Sequence, residues 1–221
     1  MTIRTIAYPT LVPVIELEPA CFGNLPSPPA PWSTETAAAY WQGCIAQAGL
    51  GHLAPIRPGS WHVTVASLIE PSDIQAVLTG FHERFEDLPD DELPLALNGG
   101  CALMDGENVV FEPQCCGDLA DIANWEDAAA HRTAGRKQLW TGHPWLEARF
   151  AEGWLYLGAT NDHTSPLEEV RVHPEALADS IEAAREIQKA FAERLMPALL
   201  ALGVSDADMD TIAAALAGVA S

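Results

Sequence analysis

Basic residues are what this 221-residue chain lacks most: 11 Lys and Arg stand against 31 Asp and Glu, a formal net charge of −20. Binding of nucleic acid or of anionic lipid depends on Lys and Arg replacing counterions, so this balance argues against both partners. Long apolar runs are missing too. No stretch approaches the eighteen or so residues that a membrane span needs, and "MTIRTIAYPT" has neither the basic start nor the apolar centre of a signal peptide. The expectation is therefore a cytoplasmic protein. Cysteines number five, an odd count in a chain of this length, which fits free thiols in a reducing compartment better than a disulfide framework. Several local signatures are absent: no Walker loop, no G-x-G-x-x-G, no G-x-S-x-G, no H-E-x-x-H and no EF-hand loop. Their absence lowers the expectation of the commonest nucleotide-binding, hydrolase and zinc-protease types, and no cofactor is expected.

What is present is a chain with 48% hydrophobic residues, ample for a packed core. The charge is uneven. Residues 1–60 hold three acids and two bases, residues 61–130 fifteen acids and the single base Arg84, and residues 131–221 thirteen acids and eight bases. Asp90, Asp91 and Glu92, in the proline-flanked "LPDDELP", and Asp118 and Asp121 are the acids expected to face a protein partner, with a basic partner as the electrostatic complement.

Periodicity places alternating strands and helices along the chain. "LVPVIELEP" reads as a strand, put at a sheet edge by Pro13. Ser33 caps a helix to about Ala48, with Ala37, Trp41, Cys44, Ile45 and Ala48 on one stripe and Gly49 ending it. Ser72 and Gln75 read as a capping box for a helix with Ile74, Val77, Leu78, Phe81, Phe85 and Leu88 on its apolar face. Asp105-Gly106 turns a hairpin, Asp118 opens a Trp125-bearing helix, and Glu152-Gly153 is a tight turn between strands. Pro174 starts a long helix, which Pro197 bends or breaks, and Ser205 with Asp208 caps a last helix. The fold expected is α+β: antiparallel strand clusters packed with amphipathic helices, the longest near the C-terminus. The acidic link near residue 90 divides a 1–90 subdomain from a 91–221 subdomain, or marks a point within one continuous domain.

Three groups of residues bear on chemistry. "SWHVTVASL" sets His62 and Thr64 on one strand face, and "NDHTSPL" repeats the spacing with His163 and Ser165. Paired His-x-Thr/Ser motifs mark the two-histidine phosphoesterases, in which one imidazole is base and the other acid. Here the second copy stands in a turn-forming context ended by Pro166, and neither copy has a basic neighbour for phosphate. Cys115 and Cys116 precede a helix start, where the dipole favours a thiolate; Glu112, Asp118 and Asp121 oppose that, and directly adjacent cysteines do not suit one zinc ion as Cys-x-x-Cys does. No metal site is expected. Seven tryptophans include Trp140, Trp145 and Trp154, crowded around "LWTGHPW" and its hairpin; Trp140 and Trp145 are candidates for the aromatic centre of a binding surface.

From "LALNGG" onward the order of parts resembles the SUKH group, the SMI1/KNR4-like proteins, many of which are immunity proteins. The resemblance rests on Asn98-Gly99-Gly100, the strands to "VVFEP", the Trp125 helix, the "GHPW" strand pair and the closing helix from Pro174. It implies a non-enzymatic acidic binding protein of the immunity type, which neutralises a toxin partner. The alternative is a phosphoesterase using His62 and His163.

Overall fold

The computed structural model describes residues 3–81, 96–160 and 170–219. Their strands, in chain order, are β1 (Arg4–Ile6), β2 (Pro9–Glu16), β3 (His62–Thr64), β4 (Gly99–Asp105), β5 (Asn108–Phe111), β6 (Arg136–Leu139), β7 (Leu146–Ala151), β8 (Trp154–Ala159) and β9 (Val170–Val172). The helices are α1 (Pro19–Phe22), α2 (Thr34–Gln47), α3 (Pro71–Gly80), α4 (Ile122–Ala129), α5 (Pro174–Ala201) and α6 (Met209–Leu216). Mostly antiparallel strands with helices between and after them make this an α+β fold with a long C-terminal helix. The chain divides into two compact units, each discontinuous in sequence: Met1–Pro13 with Asn98–Ile187, and Val14–Leu97 with Gln188–Ser221.

The first unit contains a five-stranded sheet of order β1-β9-β8-β7-β6. All its pairs are antiparallel except β1 with β9. Alternation along these strands sends Leu139, Leu146, Ala148, Leu155, Leu157, Val170 and Val172 to one face, and all seven are buried. Ile122, Trp125 and Ala128 of α4, and Leu177, Ile181 and Ala184 of α5, join them in one core. Each fully buried Leu or Val there contributes about 1.5–3 kcal/mol. Glu152 and Gly153 both take positive φ, 53° and 79°, the type I′ geometry whose twist matches the β7–β8 hairpin. At the head of α4, Asp118 accepts from the Ala120 N–H while Asp121 accepts from the Asp118 N–H, a reciprocal capping box.

In the second unit, Ser33 Oγ accepts the Thr36 N–H at 3.1 Å and opens α2. Trp41, Cys44 and Ile45 of that helix are buried, and Trp41 Nε1 donates to the Leu17 carbonyl at 3.0 Å. The start of α3 differs from the capping box expected at Ser72 and Gln75. Pro71 occupies the first helical turn, Glu70 is the cap residue, and no side chain caps the helix, because the preset φ of proline begins it two residues earlier. Ile74, Val77, Leu78 and Phe81 are buried as the stripe requires; Phe85 and Leu88 lie outside the described residues. Arg194 ties α5 to the segment after β3, its guanidinium donating to the Leu68 and Val65 carbonyls at 3.0 and 3.1 Å.

Both prolines expected to interrupt an element lie within one. β2 is an interior strand of the order β3-β2-β4-β5, not an edge. Its ladder with β3 begins at Val14↔Thr64, so Pro13 sits one residue beyond the last rung and its missing N–H costs that ladder nothing. α5 likewise runs through Pro197 to Ala201, with Ala198 and Leu199 buried beyond the proline. Their burial compensates for the hydrogen bond that the ring removes.

Candidate functional site

The connection between β6 and β7 gathers the residues with the greatest capacity for recognition. Leu139 and Leu146 close the last rung of the ladder and enter the core, leaving Trp140 to Trp145 as a turn beyond it. The segment before α4 fixes this turn through backbone bonds: Gln114 N–H donates to the Thr141 carbonyl at 2.6 Å, and His143 N–H to the Cys115 carbonyl at 3.1 Å. Thr160 N–H donates to the Trp145 carbonyl at 3.0 Å on the other side. Gly142 makes this approach possible, at φ 94° and with a hypothetical Cβ only 2.4 Å from the carbonyl oxygens of both Gln114 and Cys115.

The rings that result form a compact aromatic patch. The Trp140 and Trp145 indoles lie nearly parallel, 21° apart with centroids at 6.4 Å. The His143 imidazole meets both edge-on, at 4.8 and 5.1 Å. His143 is exposed and the indoles are half-buried. Such a group offers large, rigid apolar area with N–H handles at its rim, the composition of a protein-binding hot spot. The exposed thiols of Cys115 and Cys116 border it, and Cys115 Sγ donates to the His143 carbonyl at 3.5 Å. Among the described residues no three His, Cys, Asp or Glu side chains gather as a metal-ligand set.

Of the five acids expected on a partner face, Asp118 and Asp121 are among the described residues. Asp90, Asp91 and Glu92 lie outside the described residues. Asp118 and Asp121 are half-buried and engaged in the capping box, Asp121 also accepting from Asn124 Nδ2 at 3.1 Å. Burial, reinforced by the neighbouring Asp118 charge, pushes the Asp121 carboxyl up to about 6 against the lowering effect of the Asp118 N–H. Other acids of this span are paired: Asp105 with Arg4, Glu126 with Arg185 at 2.7 Å, and Asp127 with Lys137 at 2.8 Å.

His62 stands on β3 as expected, 7% exposed, with Ser60 Oγ 3.3 Å from its Nδ1 and accepting its backbone N–H. Thr64 is half-buried on the same strand face, and Glu16 is the register partner of His62 on β2. His163 lies outside the described residues. The second unit also has a cleft of about 440 Å³, lined by Cys21, Phe22, Ser72, Gln75, Thr79 and Gly80; among the described residues no charged side chain lines it.

Sequence reasoning singled out Trp140 and Trp145 but not His143 as their partner. The signal was the "GHP" between them: a glycine able to take positive φ and a proline turn the chain back within six residues, which brings flanking aromatics together. No protein-family model matches the chain, and neither a curated protein nor a solved structure was found similar to it.

Proposed function

We propose that the chain is a non-enzymatic binding protein that engages a protein partner through the Trp140–His143–Trp145 patch. The observation that carries this reading is the pair of stacked, half-buried indoles presented with an exposed imidazole on a turn anchored from both sides. Rigid aromatics of this kind lose little side-chain freedom on binding and supply most of the energy of an interface. The net charge of −20 makes a basic region of the partner the complement of the surrounding surface. Neutralisation of a toxin, the immunity-type role implied by the SUKH resemblance, is the cellular function proposed.

The test is affinity capture from the native source, with the full chain as bait beside a Trp140→Ala/Trp145→Ala variant of unchanged circular dichroism. A partner retained in stoichiometric amount by the parent and lost by the variant supports the reading; hot-spot tryptophans are worth about 2 kcal/mol or more each. A partner held equally by both overturns it. So does turnover of 2′,3′-cyclic nucleotides that His62→Ala abolishes, which is the outcome expected of a phosphoesterase.

A further inference from the structure

Gln114, Cys115, Cys116 and Gly117 form a tight turn, closed by the Gly117 N–H donating to the Gln114 carbonyl at 3.3 Å. Of its two central residues only Cys116 has positive φ, 69°, which makes the turn type II. That position favours glycine, because an L side chain at such a φ crowds its own backbone. A cysteine held there is strained, and strain of this kind collects where the chemistry of a residue is used.

The turn also decides where the two thiols point. In extended chain successive side chains alternate, so adjacent cysteines face away from each other. A type II turn keeps ψ of about +120° at its first central residue, as a strand does, but reverses φ at its second. Turning φ from a strand value of about −120° to 69° swings the Cys116 side chain through roughly half a revolution and brings it beside that of Cys115. Two Cβ atoms side by side on Cα atoms ~3.8 Å apart are themselves about 4 Å apart, the separation a disulfide spans. Both residues are exposed. Cys115 Sγ donates to the His143 carbonyl at 3.5 Å and Cys116 is engaged as well, but a thiol is a weak donor and a weak acceptor, so such contacts do not hold a sulfur against forming a covalent bond.

We propose that Cys115 and Cys116 are a redox pair, closed into a vicinal disulfide by a low-molecular-weight disulfide such as glutathione disulfide, and that closure loosens the aromatic turn. One thiolate attacks a sulfur of the oxidant, which expels one glutathione thiolate and leaves a mixed disulfide. The neighbouring thiolate then attacks the protein sulfur of that bond and expels the second. The cysteines lose two electrons and two protons, and the oxidant takes up both as two molecules of reduced glutathione. Neighbouring Cα atoms lie closer than the ~4.4–6.8 Å usual across a disulfide, so the ring is readily reopened, which suits a switch better than a permanent bridge. Closure removes the S–H that Cys115 donates to the His143 carbonyl and turns both side chains at the point where the Cys115 carbonyl receives the His143 N–H. Control of binding rests on the reading of the Trp140–His143–Trp145 patch as the partner surface; the disulfide itself does not.

The experiment treats the full chain, carrying Cys21→Ser to remove the other exposed thiol, with glutathione disulfide in the absence of oxygen, quenches it with acid and reads its intact mass. The chain should become lighter by two hydrogens with no glutathione attached, and proteolysis at acidic residues should place the bond within residues 113–118. Adding Cys115→Ser or Cys116→Ser should instead leave one glutathione attached, because the resolving sulfur is gone. Excess reduced glutathione should reopen the ring. Closure should alter the near-ultraviolet circular dichroism of the tryptophans with the far-ultraviolet spectrum unchanged, and reduction should restore it. Should Cys21→Ser not fold, the natural chain serves, its Cys21 adduct being assigned by the same peptide map. No partner protein is used, so failure here is separate from failure of the capture experiment. Lasting glutathione adducts on the two-cysteine chain, or disulfides between chains, would overturn the redox pair; a closed ring with an unaltered near-ultraviolet spectrum would overturn its control of the patch.

Discussion

Replacement of Gly142 by alanine should damage the aromatic turn more than any other single methyl group added to this part of the chain. Its φ of 94° is strained for an L side chain, a cost of about 1–2 kcal/mol. The added Cβ would lie 2.4 Å from the carbonyl oxygens of Gln114 and Cys115, and backbone cannot yield as the tip of a long side chain can. The two segments must therefore separate. Separation breaks the bonds Gln114 N–H to Thr141 O and His143 N–H to Cys115 O, at about 1 kcal/mol each. The total is about 3–4 kcal/mol, a large share of the 5–15 kcal/mol that stabilises a typical domain. Gly106→Ala is the control: φ is 61° and nothing lies within 4 Å, so only the conformational cost of about 1 kcal/mol applies. Urea unfolding followed by tryptophan fluorescence and circular dichroism measures both. Equal losses for the two variants, or a Gly142→Ala loss below about 1 kcal/mol, would refute the close approach of these segments.

Ser33→Ala should destabilise the second unit by about 1 kcal/mol, read as a lower urea midpoint with unchanged slope, because it removes the acceptor for the Thr36 N–H. Of the five cysteines, Cys21, Cys115 and Cys116 are exposed and should react with an aromatic disulfide reagent in the folded protein. Cys44 and Cys101 should react only on unfolding, Cys101 the more reluctantly since burial also raises its thiol pKa; five rapid equivalents would contradict this. With the Asp121 carboxyl pushed up to about 6, the native state binds more protons than the unfolded chain between about pH 4 and 6. Stability of the parent relative to Asp121→Asn should therefore fall as pH rises through that window and level off above it; a rising difference would show that the Asp118 and Asn124 hydrogen bonds outweigh burial.

Local patterning made much of the fold legible. The Glu152-Gly153 turn, the Asp105-Gly106 hairpin, the Ser33 cap and the buried stripe of α2 each follow from residues within one or two turns of one another, and each stands where the sequence puts it. Local rules failed where a distant element decides. Pro13 argues for an edge only if the neighbouring strand on its N–H side reaches it, and the β3 ladder stops at Val14, one residue short of the proline. Ser72 and Gln75 satisfy the spacing of a capping box, yet Pro71 has already begun the helix. The composition of the units is beyond a linear reading for the same reason: β1 pairs with β9, more than 160 residues away, and no periodicity records that.

Charge shows the same limit at the candidate sites. Counting acids predicts a negative face, but a count does not show which of them are already engaged. Arg4 reaches Asp105 across 101 residues, Arg185 reaches Glu126 across 59, and Asp118 and Asp121 cap the turn that precedes α4. Alignment of basic residues across the five-stranded sheet is equally hidden in the sequence. Arg136, Arg149 and Arg171 are separated by more than ten residues at each step, and only the register of three strand pairs brings them into line.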